Sequence, residues 1–360
     1  MFTKKNYPSL AVILFTGFVL IFSFFVVFQT PGLAFTLEEQ SSYLPLISKP
    51  ENTPTPSPTP TQTSVPTNTP SPTQNPGEDW LGYVNYLRSM GGLHSLSSDA
   101  LWSEGCRLHS QYMVKNDEIG HSEDPSNIWY TAAGDAAAGY SNVMVSSSVS
   151  STDVYAIDLW MSGPFHGIAV LDPQLEVAGF GSYREAIGAW KMGASLDVSR
   201  GRTLAEPPNG TYPVMWPGNG HRTSIFTYRG TEWPDPLTSC PGITADYWNP
   251  SGAPIYLQIG SGDTTPNVSA TSLKQDNSEL EHCVFDETNY TNPSSSTQNT
   301  GRWILNTRDA IIIMPKEPLE AGKTYTVSIT TNGDTYNWSF TAESSLQLIR
   351  EHPDTYMKSP

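Results

Sequence analysis

The stretch DLWMSGPFHGIAVLDPQLEVAGFG, residues 158–181, decides how the first half of the chain is read. Trp160 and His166 stand six apart, with Ser162, Gly163 and Pro164 between them. An apolar run and a Gly-x-Gly follow. A helix is expected from Thr152 or Asp153 to Met161, with either residue as its N-cap. His166 then falls at a helix-to-strand turn. Beyond it, Glu176–Tyr183 and Ile187–Leu196 read as a two-stranded hairpin. His166 has two readings. It is part of a working cleft, or it holds the scaffold by donating one ring N–H to a carbonyl and packing beside Trp160.

Working outward, Trp80, Tyr83, Val84 and Leu87 recur at helical spacing, and Gly91-Gly92 stops that helix. Ser98-Asp99 is a cap pair for a second helix through Leu101, Leu108, Tyr112 and Met113. Residues 120–150 are rich in Gly, Ala and Ser, with one strand expected around Tyr140–Val145. Helices flanking a few antiparallel strands give an α+β sandwich. The second half is different. PIYLQIG (254–260), NVSATSLK (267–274), DAIIIMP (309–315), KTYTVSIT (323–330) and DTYNWSFT (334–341) read as strands. Asn332-Gly333 is a hairpin-turn signal between the last two. This half is expected to be an antiparallel β-sandwich. Its aromatics Trp216, Trp233, Tyr247, Trp248, Trp303 and Trp338 read as core rather than as a stacking platform for sugars. Trp338 alternates with Tyr336 and Phe340, which puts all three on one strand face.

Composition bounds the partners. The net charge is -16 and only 15% of residues are charged. Such a surface repels phosphate, which argues against nucleic acid and anionic membrane. Lys4 and Lys5 precede an apolar run from Leu10 to Phe28, so residues 1–34 read as a signal peptide or membrane anchor, and the membrane is met only there. Residues 51–76 hold eight Pro and eight Thr. Repeated Pro forbids helix and sheet, so residues 35–77 read as a linker; the Pro/Thr run alone spans roughly 80 Å at ~3.1 Å per residue. The ordered parts are expected at 78–200 and 205–343, with a patternless tail at 344–360. Outside the cytoplasm Cys240 and Cys283 can bridge, which leaves Cys106 as a buried thiol.

Taken together, VNYLRSMGGL (84–93), LWSEGCRLHSQYM (101–113), GHSED (120–124), WMSGPFHGIAVL (160–171) and GFG (179–181) resemble the CAP superfamily. These are the cysteine-rich secretory, antigen 5 and pathogenesis-related 1 proteins, and the likeness is to their bacterial secreted branch. The resemblance implies an α-β-α sandwich with a central cleft lined by His121 and His166. LEAGKTYTVSITTNGDTYNWSFTA (319–342) resembles the ending of bacterial immunoglobulin-like modules.

In CAP proteins the two histidines have two acidic companions, and many members bind zinc there. Here AAGYSNVM (137–144) puts Tyr140 or Ser141 at one acidic position, and Gly163 stands at the other. Asp135, Asp153 and Asp158 lie off the pattern. Two histidines alone make a weak site for zinc or another divalent metal. His109, in mid-helix, reads as packing. Ser110, Ser122 and Ser162 lie near histidines, but no Gly-x-Ser-x-Gly is present.

The cleft set is therefore His121, His166, Trp160, Ser162, Ser141 and Asn142, with His121 and His166 as the only metal or acid/base candidates. The expected function is a non-catalytic binding module, exported or held at the cell surface. Its ligand would be a small apolar molecule, a cell-wall or extracellular polymer, or a protein. The alternatives are a hydrolase of extracellular polymer working through His121 and His166, and a structural or adhesion protein.

Overall fold

The computed structural model describes residues 79–203, 205, 207 and 211–344, and the backbone of 355–358. The expected leader and linker, residues 1–34 and 35–77, lie outside them. The described residues fall within one compact unit.

The first half holds helices α1 (Trp80–Ser89), α2 (Ala100–Asn116), α3 (Ala132–Ala138), α4 (Asp153–Ser162) and α5 (Pro164–Val170). Its strands are β1 (Ser97–Ser98), β2 (Ser141–Ser146), β3 (Val177–Arg184) and β4 (Met192–Asp197). Local chemistry sets the helix starts. The Asp99 carboxylate accepts from the N–H groups of Leu101 and Trp102, and Thr152 Oγ1 accepts from Tyr155. β3 and β4 pair antiparallel, as do β4 and β2.

The sheet divides its neighbours. Gly179 and Gly181 of β3 face α2. A Cβ on Gly179 would lie 2.6 Å from Trp102 Cβ, and one on Gly181 would lie 2.6 Å from Arg107 Cα. The Gly-x-Gly of the opening stretch therefore lets the α2 backbone lie directly on the sheet. Phe180, between them, points the other way, stacked on Trp80 at 5.6 Å and edge-on to Trp160 at 6.3 Å. So α2 and α3 cover one face, and α1, α4 and α5 cover the other. This is an α-β-α arrangement. Gly181→Val should lower stability by about 1–3 kcal/mol or more, because the rigid helix backbone cannot yield. Urea unfolding of the variant checks this.

The second half adds β5 (Val214–Trp216), β6 (Arg222–Thr223), β7 (Thr227–Tyr228), β8 (Ser251–Gly252), β9 (Ile255–Gln258), β10 (Val268–Gln275), β11 (Ser278–Glu279), β12 (His282–Phe285), β13 (Ala310–Pro315), β14 (Thr324–Thr331) and β15 (Asp334–Ala342). A helix, α6 (Ser295–Asn306), precedes β13. Two sheets form, in the orders β11-β10-β14-β15-β6 and β12-β13-β9-β5, with β7 and β8 as a separate short ladder. β14 and β15 turn at Asn332 and Gly333, both with positive φ. β9 and β13 are buried along their whole lengths. Coverage of both faces explains the continuous apolar run of DAIIIMP.

The main core is continuous through both halves. It joins Leu87, Trp160 and Phe165 to Trp216, Tyr256, Ile313 and Trp338. A small second cluster, Met113 with Val143 and Val145, sits under α2.

Three helices were not anticipated: α3 within the Gly/Ala/Ser-rich region, α5 in place of a turn at His166, and α6 among the strands. The tail also differs from expectation. Residues 355–358 form β16 (Thr355–Lys358), which pairs antiparallel with β2 at the edge of the first sheet.

Cys240 and Cys283 are joined by a disulfide, with Cα atoms 5.4 Å apart and a sequence separation of 43. Loop closure over that span gives about 4 kcal/mol by the chain-entropy argument. Replacing both cysteines with Ala should therefore lower the unfolding free energy by about 2–4 kcal/mol. Denaturant titration of that variant reads the loss. Cys106 is a buried free thiol, and burial pushes its pKa up to about 12. A thiol so held is not a nucleophile near neutral pH.

Candidate functional site

α5 is the element that carries His166. Pro164 occupies its first position, where the missing N–H costs nothing. Its N-cap, Gly163, has no side chain to satisfy the first N–H groups. The cap comes instead from the second half of the chain. Glu232 Oε1 accepts from the His166 backbone N–H at 2.8 Å, and the His166 ring Nδ1 lies 2.7 Å from the same oxygen. Both side chains are fully buried. A carboxylate at a helix N-terminus meets the exposed N–H groups and the positive end of the dipole together. Burial raises the Glu232 pKa, and the hydrogen bonds from His166 oppose that rise.

The acidic companion of His166 is therefore present, but it comes from outside the CAP-like sequence. Nothing local to TEWPD (231–235) announces it. The other partner of His166 is Asn142, whose Nδ2 donates to the His166 carbonyl at 3.1 Å. Trp160 is buried in the core nearby, edge-on to Phe180. These three of the expected cleft residues, His166, Asn142 and Trp160, belong to the buried framework. Ser141, one of the two residues that the resemblance sets at an acidic position, is buried with its Oγ 3.6 Å from Cys106 Sγ. Ser162 Oγ donates back to the Leu159 carbonyl at 2.6 Å. His121 lies in the loop between α2 and α3, and its Nδ1 is 2.9 Å from the Ala138 carbonyl.

That loop has its own buried pair. His109 Nδ1 lies 3.1 Å from Glu123 Oε1, with both side chains fully buried. Glu123 Oε2 accepts from Thr131 N–H, and the Glu123 N–H donates to Asp135. The HSED part of GHSED thus closes a loop onto α2. His109 packs, as its helix position suggested, but its ring also has hydrogen-bond partners in Glu123 and the Gly120 carbonyl.

The second half seals α5 on its other sides. Tyr256 Oη lies 3.1 Å from the Met161 carbonyl, and Gln258 Nε2 donates to the Leu171 carbonyl at 2.8 Å. A Cβ on Gly167 would lie 3.0 Å from Tyr256 Cζ, so glycine there admits the phenol ring. Phe165 meets Tyr290 edge-on at 5.0 Å and Phe285 at 6.0 Å. Trp216 Nε1 donates to the Leu87 carbonyl at 3.0 Å. Below the helix, buried Asp172 draws in Arg202 at 2.6 Å and Arg308 at 3.0 Å. Arg88 of the VNYLR motif donates to the carbonyls of Val170, Asp172 and Leu175, which closes the C-terminal end of α5. Burial lowers its pKa to about 10, against the attraction of Asp172. Asn85 of the same motif exchanges hydrogen bonds with Leu96 N–H and C=O. The motif residues in α1 are scaffold.

The zinc implied by the family resemblance does not fit these side chains. Among the described residues no three His, Cys, Asp or Glu gather as metal ligands. An open zinc site uses three protein ligands and a water. His166 Nδ1 is committed to Glu232, and neither Tyr140 nor Ser141 supplies the carboxylate that the resemblance implies.

Residues 81–188 match the CAP family, described as the cysteine-rich secretory protein family. Among solved structures, an extracellular protein containing an SCP domain from Bacillus anthracis str. Ames is similar at 20% identity with a TM-score of 0.27. That match covers 34% of this chain and 39% of the other. No curated protein matches the chain significantly. Among the described residues no helix is long and apolar enough to cross a membrane.

Proposed function

We propose that the chain is an exported, non-catalytic binding protein of the cell surface or its surroundings, in which a CAP domain and an immunoglobulin-like sandwich act as one rigid body. The observation that carries this reading is the burial of His166 on Glu232. A general base or metal ligand must reach a substrate or a water. The ring of the most suggestive histidine of the family signature is instead spent on holding the carboxylate that caps α5. Two further features support the reading. The disulfide suits an oxidising compartment. The two sheets of the second half enclose apolar side chains of alternating strands, as a sandwich requires. The ligand is a wall or extracellular polymer, offered to the outer faces of the body rather than to the cleft.

Co-sedimentation of residues 70–360 with insoluble cell-wall material, with assay of the supernatant for released fragments, tests this. Bound protein with no release above a buffer blank is the expected result. Release that persists in purified protein and disappears in His121→Ala would restore the hydrolase. Absence of binding would remove the wall polymer as ligand.

A further inference from the structure

Trp303 reads from sequence as a core residue, yet it is 58% exposed on α6. Beside it runs an open groove of about 310 Å³ lined by Glu287, Thr288, Arg302, Trp303 and Asn306. Its polar groups are arranged and underused. Arg302 Nε donates to the Tyr290 carbonyl at 2.7 Å, which fixes the guanidinium plane. Its two Nη groups make no hydrogen bond to the described residues. Glu287 Oε2 is shielded from solvent and has no hydrogen-bond partner among the described residues. Thr288 Oγ1 is held by Asp286. Asn306 stands exposed at the last turn of the helix.

We propose that this groove binds a neutral pyranose ring of a glycan chain. The indole face offers a flat apolar surface for the axial C–H groups of a sugar, as aromatic rings do for other flat ligands. Arg302 Nη and Asn306 donate to ring hydroxyls, with the half-buried Glu287 side chain lining the groove beside them; charge-assisted bonds of this kind are the strong ones. The volume is at the lower end of the ~300–1,000 Å³ of small-molecule sites, which suits one or two rings. The groove is open, so an internal residue of a long chain can lie in it. The net charge of -16 favours a neutral glycan over an anionic one.

This deepens the reading of the chain as a polymer-binding protein and rests on it. The test titrates the full chain with cellotriose, chitotriose and trigalacturonate, followed by calorimetry and saturation-transfer NMR. Saturable binding of a neutral trisaccharide is expected, with trigalacturonate excluded. Trp303→Ala should weaken it by at least about tenfold, or 1.4 kcal/mol, and leave the melting midpoint unchanged because the ring is exposed. Glu287→Gln should weaken it less. No saturable binding of either neutral sugar, undiminished binding by Trp303→Ala, or preference for trigalacturonate overturns the inference. Co-sedimentation with wall material separates the two claims. If Trp303→Ala sediments as the wild type does, the groove is wrong and the binding-protein reading stands. If the wild type does not sediment, that reading fails as well.

Discussion

His166→Ala is expected to lower the unfolding free energy by about 3–5 kcal/mol, because it leaves the Glu232 carboxylate buried without its ring partner. For a body of this size that is a fall of roughly 10 °C in the melting midpoint. It is also a large part of the ~5–15 kcal/mol that holds most proteins folded. A cleft histidine used only for ligand or chemistry would show little of this, since active sites are commonly strained and their groups dispensable to the fold. The paired replacement His166→Leu with Glu232→Leu should recover much of the loss, because an apolar pair of similar volume avoids burying two polar groups. Thermal unfolding of the two variants beside the wild type gives the comparison. An unchanged midpoint in His166→Ala would mean that the pair does not hold the body together.

The same pair gives a pH dependence with a definite sign. Burial raises the Glu232 pKa above its ordinary 4.5. The folded state then holds a proton that the unfolded state has released. Its contribution is fully present below 4.5 and declines as pH rises through the folded value. Relative to Glu232→Gln, the wild type should therefore lose stability as pH increases from 4.5 upward. Chemical denaturation of both at several pH values reads the difference.

The second large effect concerns the first half alone. A chain of residues 78–202 should not reach a native state. Phe165 would lose Phe285 and Tyr290, Trp216 would leave Leu87, and α5 would lose Tyr256 and its Glu232 cap. The apolar face beneath α4 and α5 would be bare, and the edge of β2 would lose β16. The expected species keeps its far-ultraviolet helix signal, lacks near-ultraviolet structure and binds a hydrophobic dye. A sharp, cooperative melt of residues 78–202 near the temperature of the longer chain would contradict this.

Much of the fold was legible in the sequence because local chemistry set it. Asp99 and Thr152 cap helices through their own side chains, and Asn332-Gly333 makes its turn alone. The missed helices lack such signals. α5 has seven residues with glycine at its cap and centre, and it is closed by Glu232, 66 residues away. α6 opens SSTQNTG, where Thr, Asn and Gly disfavour a helix until tertiary contacts override them. The aromatics divided for a related reason. Trp216 and Trp338 are buried, while Trp233, Trp248 and Trp303 are exposed, and composition alone cannot sort them. The candidate site was half legible. The motifs located His166 and His121, but the partner that decides what His166 does has no motif of its own.

Whether His166 is sealed inside the body can be measured directly by deuterium exchange at the imidazole C2 position, read by mass spectrometry of the peptide that carries it. His221, exposed on the second half, is the internal reference. Exchange at His166 far slower than at His221, and accelerated in Glu232→Ala, is the predicted result. Exchange at His166 as fast as at His221 would show an open cleft and contradict the account.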